Sequence, residues 1–273
     1  MIIRVLNDNE KNRIRELYEE VFEDSQYFVD YYFNSYVKNT INFVCEVNER
    51  IVGMATIHPK KLMISENEVK VGYVYGVATK LSYRGQGIMR RLLEKIEEYA
   101  FENQFGYLYL IPANPKIYEG LGYELMRNAC EMEFVKDNIE IENVMVEKID
   151  AGSLEKCVEF IDKNYKNKVS IRYDEDYLKE ILSRLSINNS GIYCIFDDIC
   201  DKILGLAFIE HDEKYYLNHL ICTKDNEKIC VSQVMRKINI DKLYYRLHDI
   251  MFKEINGKIE DIKSYSICIN DEV

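Results

Sequence analysis

The 273-residue chain has no run of apolar residues long enough, at about 18, to cross a membrane as a helix. Its opening stretch, MIIRVLNDNEKNRIREL, carries charges where a signal peptide needs an apolar core. A cytoplasmic protein with no membrane partner is therefore expected. A basic excess is missing as well: 36 Lys and Arg stand against 47 Asp and Glu, a net charge of −11. The phosphates of nucleic acid would be repelled overall, so no nucleic-acid partner is expected. The acidity suits a cationic small molecule, and it equally suits simple solubility. None of the eight cysteines forms a CxxC pair. Most stand in apolar, strand-like contexts, so reduced core thiols are expected, with no metal site.

What is present centres on residues 72–98, GYVYGVATKLSYRGQGIMRRLLEKIEE. Tyr73, Val74, Tyr75, Val77 and Thr79 are the β-branched and aromatic types of a half-buried strand. The period then changes. Ile88, Leu92, Leu93, Ile96, Tyr99 and Ala100 recur at the spacing of one helix face, which makes residues 84–87 a strand-to-helix turn. At such a turn the first helical N–H groups lack partners and the dipole attracts an anion, phosphate above all. Gly85 and Gly87 can take positive φ and bring no Cβ, so successive N–H groups can converge on an oxyanion, with Arg84, Arg90 and Arg91 adding charge. A bare G-x-G serves as often for a tight connection alone; the strand, helix and arginines around it favour the cradle.

These residues carry a resemblance. YRGQGI is similar to the Arg/Gln-x-x-Gly-x-Gly/Ala signature of the GNAT N-acetyltransferases, except that Met89 stands where Gly or Ala is usual. The Eis-like multidomain subgroup tolerates a larger apolar residue there and shares the V-A-T strand end before the turn. The resemblance implies acetyl-CoA as co-substrate. Arg84, Gly85, Gln86, Gly87, Ile88, Met89 and Arg90 would hold its pyrophosphate, and the backbone of Val77, Ala78 and Thr79 its pantetheine arm. A strand N–H near Val77 would serve the oxyanion if this strand splays from its neighbour.

A second segment follows. The apolar run YLYLI at 107–111 reads as a buried strand, and Pro112 and Pro115 force the chain out of the sheet. Asn114 either caps the short helix after it or offers its amide to a ligand. Tyr118 lies on that helix. In a chain with 22 tyrosines most are packing residues, but Ala113, Tyr118, Gly122 and Tyr123 match the GNAT pattern A-x-x-x-x-Y-x-x-x-G-Y/F. The resemblance gives Tyr118 the catalytic role of protonating the departing thiolate.

Deprotonation of the acceptor is less legible. An alkylammonium with a pKa of about 10.4 is neutral roughly once in 2500 at pH 7, so a base is needed. The strand at 72–79 carries no carboxylate. In the Eis-like subgroup the terminal carboxylate of a third domain does this work; the present sequence ends at Val273, inside what resembles only the start of that domain. His58 reads as an ordinary hairpin residue. Glu23 and Asp24, with Tyr27, Phe28, Tyr31 and Tyr32, form either an acidic aromatic wall for an ammonium group or the packed face of a second helix.

The expected fold is α/β with the α+β arrangement of GNAT enzymes: a mixed, mostly antiparallel sheet flanked by helices, with a second degenerate GNAT-like domain. Residues 141–231 repeat the element order of the first unit, but KDNEKIC replaces the glycine turn after Cys222, so cofactor binding is expected only in residues 1–140. Residues 232–273 resemble the start of a sterol-carrier-like domain. The expected activity is direct transfer of acetyl to a primary amine in a ternary complex, the acceptor being a polyamine, a lysine or peptide amine, or a small metabolite. A non-catalytic acyl-CoA sensor is the competing class, and a homo-oligomer is compatible with both.

Overall fold

The computed structural model describes residues 1–137, 141, 143–186 and 190–269. The described chain forms two compact units. The first comprises Met1–Arg127 with Asp249–Tyr265, and the second the intervening residues with those after 265.

In the first unit β1 (Ile2–Val5), α1 (Arg15–Val21), α2 (Gln26–Tyr31), β2 (Ile41–Val47), β3 (Arg50–Ile64) and β4 (Asn67–Thr79) precede α3 (Ile88–Glu102). Then come β5 (Tyr107–Leu110), α4 (Lys116–Glu119) and β6 (Glu124–Arg127). β1 to β4 pair antiparallel in order, and β4 pairs parallel with β5. The face of α3 predicted from periodicity is the face that packs: Ile88, Leu92, Leu93, Ile96 and Ala100 are buried against β2, β3 and β5. Close approach is allowed by Gly53 on β3, where an added Cβ would stand 2.6 Å from Ile88 Cγ2. Residues Asp8–Ile14 wind as a 3-10 turn, started by the Asn7 N–H donating to the Glu10 carboxylate at 3.2 Å, and only then does α1 follow.

The second unit contains β7 (Cys130–Val135), β8 (Val144–Lys148), α5 (Leu154–Tyr165), β9 (Lys168–Ile171), α6 (Glu175–Arg184), β10 (Gly191–Asp197), β11 (Lys202–His211), β12 (Tyr215–Cys222), α7 (Glu227–Ile238) and β13 (Lys242–Leu247). β14 (Ile250–Glu254) and α8 (Ile259–Lys263) belong to the first unit, and β15 (Ser266–Ile267) pairs with β9. The strand order β8-β10-β11-β12-β13 repeats β1-β2-β3-β4-β5, including one parallel pair, β12 with β13. The mixed, mostly antiparallel α/β architecture is therefore present twice.

The division into units differs from boundaries at 140 and 231. β6 and β7, neighbours in sequence, enter different sheets: β6 pairs with β14, and β7 with β13. Residues 232–269 form no third unit among the described residues. Their first part completes α7 and β13, and β14 lies between β5 and β6 of the first sheet. The physical reason is burial. Ile250, Met251 and Phe252 are fully buried, Met251 within the α3 core, and the Phe252 ring stacks on Tyr109 at 5.4 Å. Lys253 fixes the strand further, donating to the Leu121 carbonyl at 2.7 Å and pairing with Glu97 of α3 at 2.6 Å.

Candidate active site

β4 and β5 run parallel only at Val71, Gly72 and Tyr73, opposite Tyr107, Leu108 and Tyr109. β5 ends at Leu110, while β4 continues to Thr79 with β3 as its one strand partner. Among the described residues, positions 74–79 therefore have a strand edge without a strand partner. A register shift between Met54 and Thr56, with Gly76 at φ +61°, marks a bulge inside this open stretch. The bulge re-aims the strand, as bulges beside ligand sites do. Val77 is half-buried against the α3 core, Ala78 is buried, and Thr79 is half-buried.

The turn beyond β4 has the geometry its glycines allow. Gly85 has φ +76° and Gly87 φ +74°, the left-handed region that side chains with a Cβ rarely adopt, and nothing lies within 4 Å of an ideal Cβ at either position. The α3 ladder starts with the Arg91 N–H donating to the Gly87 carbonyl at 3.2 Å, so the N–H groups ahead of it have no intrahelical partner. No side chain caps this 15-residue helix, and its first turn has no acidic residue. Its positive end faces open space uncompensated. Arg84 braces the turn, its Nε donating to the Thr79 carbonyl at 3.1 Å. Gln86 and Arg90 are exposed. Ile88 is buried, and Met89 is half-buried against the α3 core.

The second segment leaves the carboxyl end of β5 just past the Tyr73–Tyr109 pair, where β4 begins to run on without it; open α/β sheets place ligands at such carboxyl strand ends. The Asn114 side-chain oxygen accepts from the Lys116 N–H at 3.1 Å, a turn just ahead of α4, which leaves its NH2 to offer. Tyr118 is half-buried against the α3 core, edge-on to Tyr123 at 5.8 Å. Burial pushes its phenol upward, which keeps it protonated at neutral pH and also makes it a weaker acid toward a thiolate.

On β4 the alternation sends Val74 to the α3 core, while Tyr73 and Tyr75 join an aromatic cluster with Tyr18 of α1, Phe22 and Tyr32. In that cluster the Tyr18 hydroxyl lies 2.6 Å from Asp24 Oδ2 and 2.6 Å from the Tyr75 hydroxyl. Of the residues considered for an acidic aromatic wall, Tyr32 is fully buried, Phe28 and Tyr31 are half-buried, and Tyr27, Glu23 and Asp24 are exposed. The sequence places Tyr75 on this strand but gives neither it nor Tyr18 a role: alternation sets Tyr73 and Tyr75 on one face of β4, and no local pattern pairs that face with Tyr18 or Asp24.

His58 is buried and hydrogen-bonded to the Tyr36 hydroxyl. Burial, with Lys60 nearby, lowers its pKa to about 2, which makes it a neutral packing residue and no acceptor of an ammonium proton. Val273 lies outside the described residues. An open cleft of about 720 Å3 flanks the 80–83 segment, but its Lys80 and Arg13 are already paired with Glu20 and with Glu10 and Glu46. Among the described residues no three His, Cys, Asp or Glu side chains group as a metal site would, and no helix is long and apolar enough to cross a membrane.

Residues 2–126, which include the open strand edge, the glycine turn and Tyr118, match the family model of the acetyltransferase (GNAT) domain. The first unit is a GNAT acetyltransferase domain. β14, which joins β5 to the edge strand β6 in its sheet, lies outside the matched stretch. No curated protein matches the sequence. Solved structures share the fold of the chain, including its non-GNAT-matched half. A probable N-acyltransferase from Enterococcus faecalis V583 is similar at TM-score 0.77 and 12% identity, over 94% of this chain and 73% of that one. A GCN5-related N-acetyltransferase from Kribbella flavida is similar at TM-score 0.74 and 13% identity, over 93% and 72%. Eis1 from Mycobacterium abscessus is similar at TM-score 0.63 and 10% identity, over 94% and 74%. The likeness to Eis is thus one of fold along nearly the whole chain, on top of the GNAT domain match.

Proposed function

We propose that the GNAT domain is an acetyl-CoA-dependent N-acetyltransferase that moves the acetyl group to a primary amine by direct attack in a ternary complex. The observation that carries this reading is the pair of left-handed glycines opening an uncapped helix at the end of a strand with one free edge. Such a helix end offers convergent N–H donors to a pyrophosphate. The free edge of residues 77–79 offers backbone groups to an amide-bearing arm laid along it as an extra strand. Arg84, Gly85, Gln86, Gly87, Ile88, Met89 and Arg90 hold the pyrophosphate in this reading, Val77, Ala78 and Thr79 the pantetheine, and the Asn114 NH2 stands ready for the same arm. Tyr118 donates its proton to the thiolate. The acceptor is cationic, since the chain is strongly acidic and an exposed carboxylate, Asp24, adjoins the aromatic cluster.

The test is calorimetric titration of the protein with acetyl-CoA, followed by thiol release with spermidine, an aminoglycoside and a lysine peptide. Saturable binding with amine-dependent release is expected. Binding with no release from any acceptor would assign the domain to acyl-CoA sensing, and absence of binding would overturn the cradle itself.

A further inference from the structure

Resting on that reading, we infer that the acceptor amine is deprotonated through a relay of two phenols, from Tyr75 through Tyr18 to the carboxylate of Asp24. Tyr75 stands on β4 immediately before the Gly76 bulge, at the start of the open edge. It lies two residues, about 7 Å along the strand, from Val77. Its hydroxyl is 2.6 Å from that of Tyr18, which is itself 2.6 Å from Asp24 Oδ2. Both separations are in the range of short, strong O–H···O bonds.

The polarity of the chain is fixed at one end. An ionised carboxylate only accepts, so the Tyr18 proton points at Asp24 and the Tyr18 oxygen accepts from Tyr75. That orientation leaves the Tyr75 oxygen as an acceptor for an ammonium proton. Burial raises the pKa of both phenols, so neither rests as phenolate; each passes one proton on as it takes one up. Asp24 is exposed and returns the proton to water. The groups facing Tyr75 are Tyr18 from α1, Tyr32 from the segment after α2, Asp24 from the α1–α2 connection and Tyr73 on its own strand.

The step balances. The ammonium gives one proton to Tyr75 while Tyr75 and Tyr18 each hand one on, and Asp24 releases one to solvent. The neutral nitrogen forms its bond to the acetyl carbon, the carbon–sulfur bond breaks, and the second nitrogen proton leaves by the same path. Tyr118 protonates the sulfur and recovers a proton from water. One proton ends on the thiol and one in solvent.

The experiment measures thiol release from acetyl-CoA with spermidine, an aminoglycoside and a lysine peptide between pH 6 and 10, for wild type, Tyr75→Phe, Tyr18→Phe and Asp24→Asn. Loss of a general base lowers rate by about 100-fold or more at pH 7. Here the deficit in kcat shrinks toward pH 10, where the amine loses its proton unaided, while calorimetric affinity for acetyl-CoA is unchanged. Asp24→Asn, on an exposed connection, keeps the test alive if a tyrosine variant folds poorly. An active wild type whose variants keep its pH profile, lose rate equally at every pH, or show a raised KM alone for Asp24→Asn overturns the relay and leaves the transferase reading intact. A wild type that releases no thiol with any acceptor overturns both.

Discussion

Gly87 has no neighbour that a methyl group would strike, yet its φ of +74° is closed to β-branched side chains. The substitution Gly87→Val therefore acts through the backbone: adopting that angle costs about 1–3 kcal/mol, and relaxing out of it turns the first N–H groups of α3 away from a common point. The expected outcome is loss of acetyl-CoA binding in calorimetry with a folded domain by circular dichroism, and undiminished affinity would sink the cradle. His58 makes a prediction of a different kind. Its pKa is depressed to about 2 in the folded chain from an ordinary value near 6.5, so between those values the unfolded chain holds a proton that the folded chain does not. Its contribution to stability is intact above pH 6.5 and is lost as pH falls below it, at up to about 1.4 kcal/mol per pH unit. Urea midpoints for wild type should drop from pH 6.5 to 5, where carboxylates remain ionised, and His58→Gln should drop less. Equal slopes for the two proteins would refute the assignment.

Among the elements, α3 was the easiest to read, because Ile88, Leu92, Leu93, Ile96 and Ala100 carry its full period and all are buried. The turn before it was legible for a related reason, since two glycines between a strand and a helix leave few backbone solutions. β14 was the hardest. Ile250, Met251 and Phe252 announce a buried strand, but nothing local says which sheet takes it, and its partners Tyr107, Tyr109 and Leu125 lie more than a hundred residues earlier. Strand pairing is decided by which edge is left open, and that is a property of the assembled sheet. The Asp24–Tyr18–Tyr75 chain was invisible for the same reason: its three members come from a connection, a helix and a distant strand. Phe252 reports on how much the inserted strand contributes. It is fully buried and stacked on Tyr109, so Phe252→Ala should destabilise the first unit by about 3–5 kcal/mol, read as a lowered denaturant midpoint. A change under 1 kcal/mol would mean that β14 adds little to the sheet it completes.

The two units are each built from separated stretches of chain, and that connectivity carries its own prediction. The family match ends at residue 126, which suggests that the GNAT domain is an independent N-terminal piece. The sheet says otherwise. Without residues 249–265 there is no bridge between β5 and β6: the backbone groups of Leu108, Tyr109 and Leu110 lose their antiparallel partner, Tyr109 and Tyr107 lose the Phe252 ring, and the α3 core loses Met251. Unpaired backbone groups in a buried strand are costly, and an uncovered hydrophobic edge invites association with another chain. A fragment ending at residue 127 should therefore be aggregated or molten and should bind no acetyl-CoA. Adding a peptide of residues 249–265 should restore part of the far-ultraviolet signal and of the binding, since the peptide supplies the missing strand and the Lys253 contacts to Glu97 and Leu121. Cooperative melting and normal acetyl-CoA affinity in the fragment alone would show that β14 is an addition to a finished domain. The expected failure instead ties the cradle, through its own sheet, to residues that the chain reaches only after it has built β7 through β13.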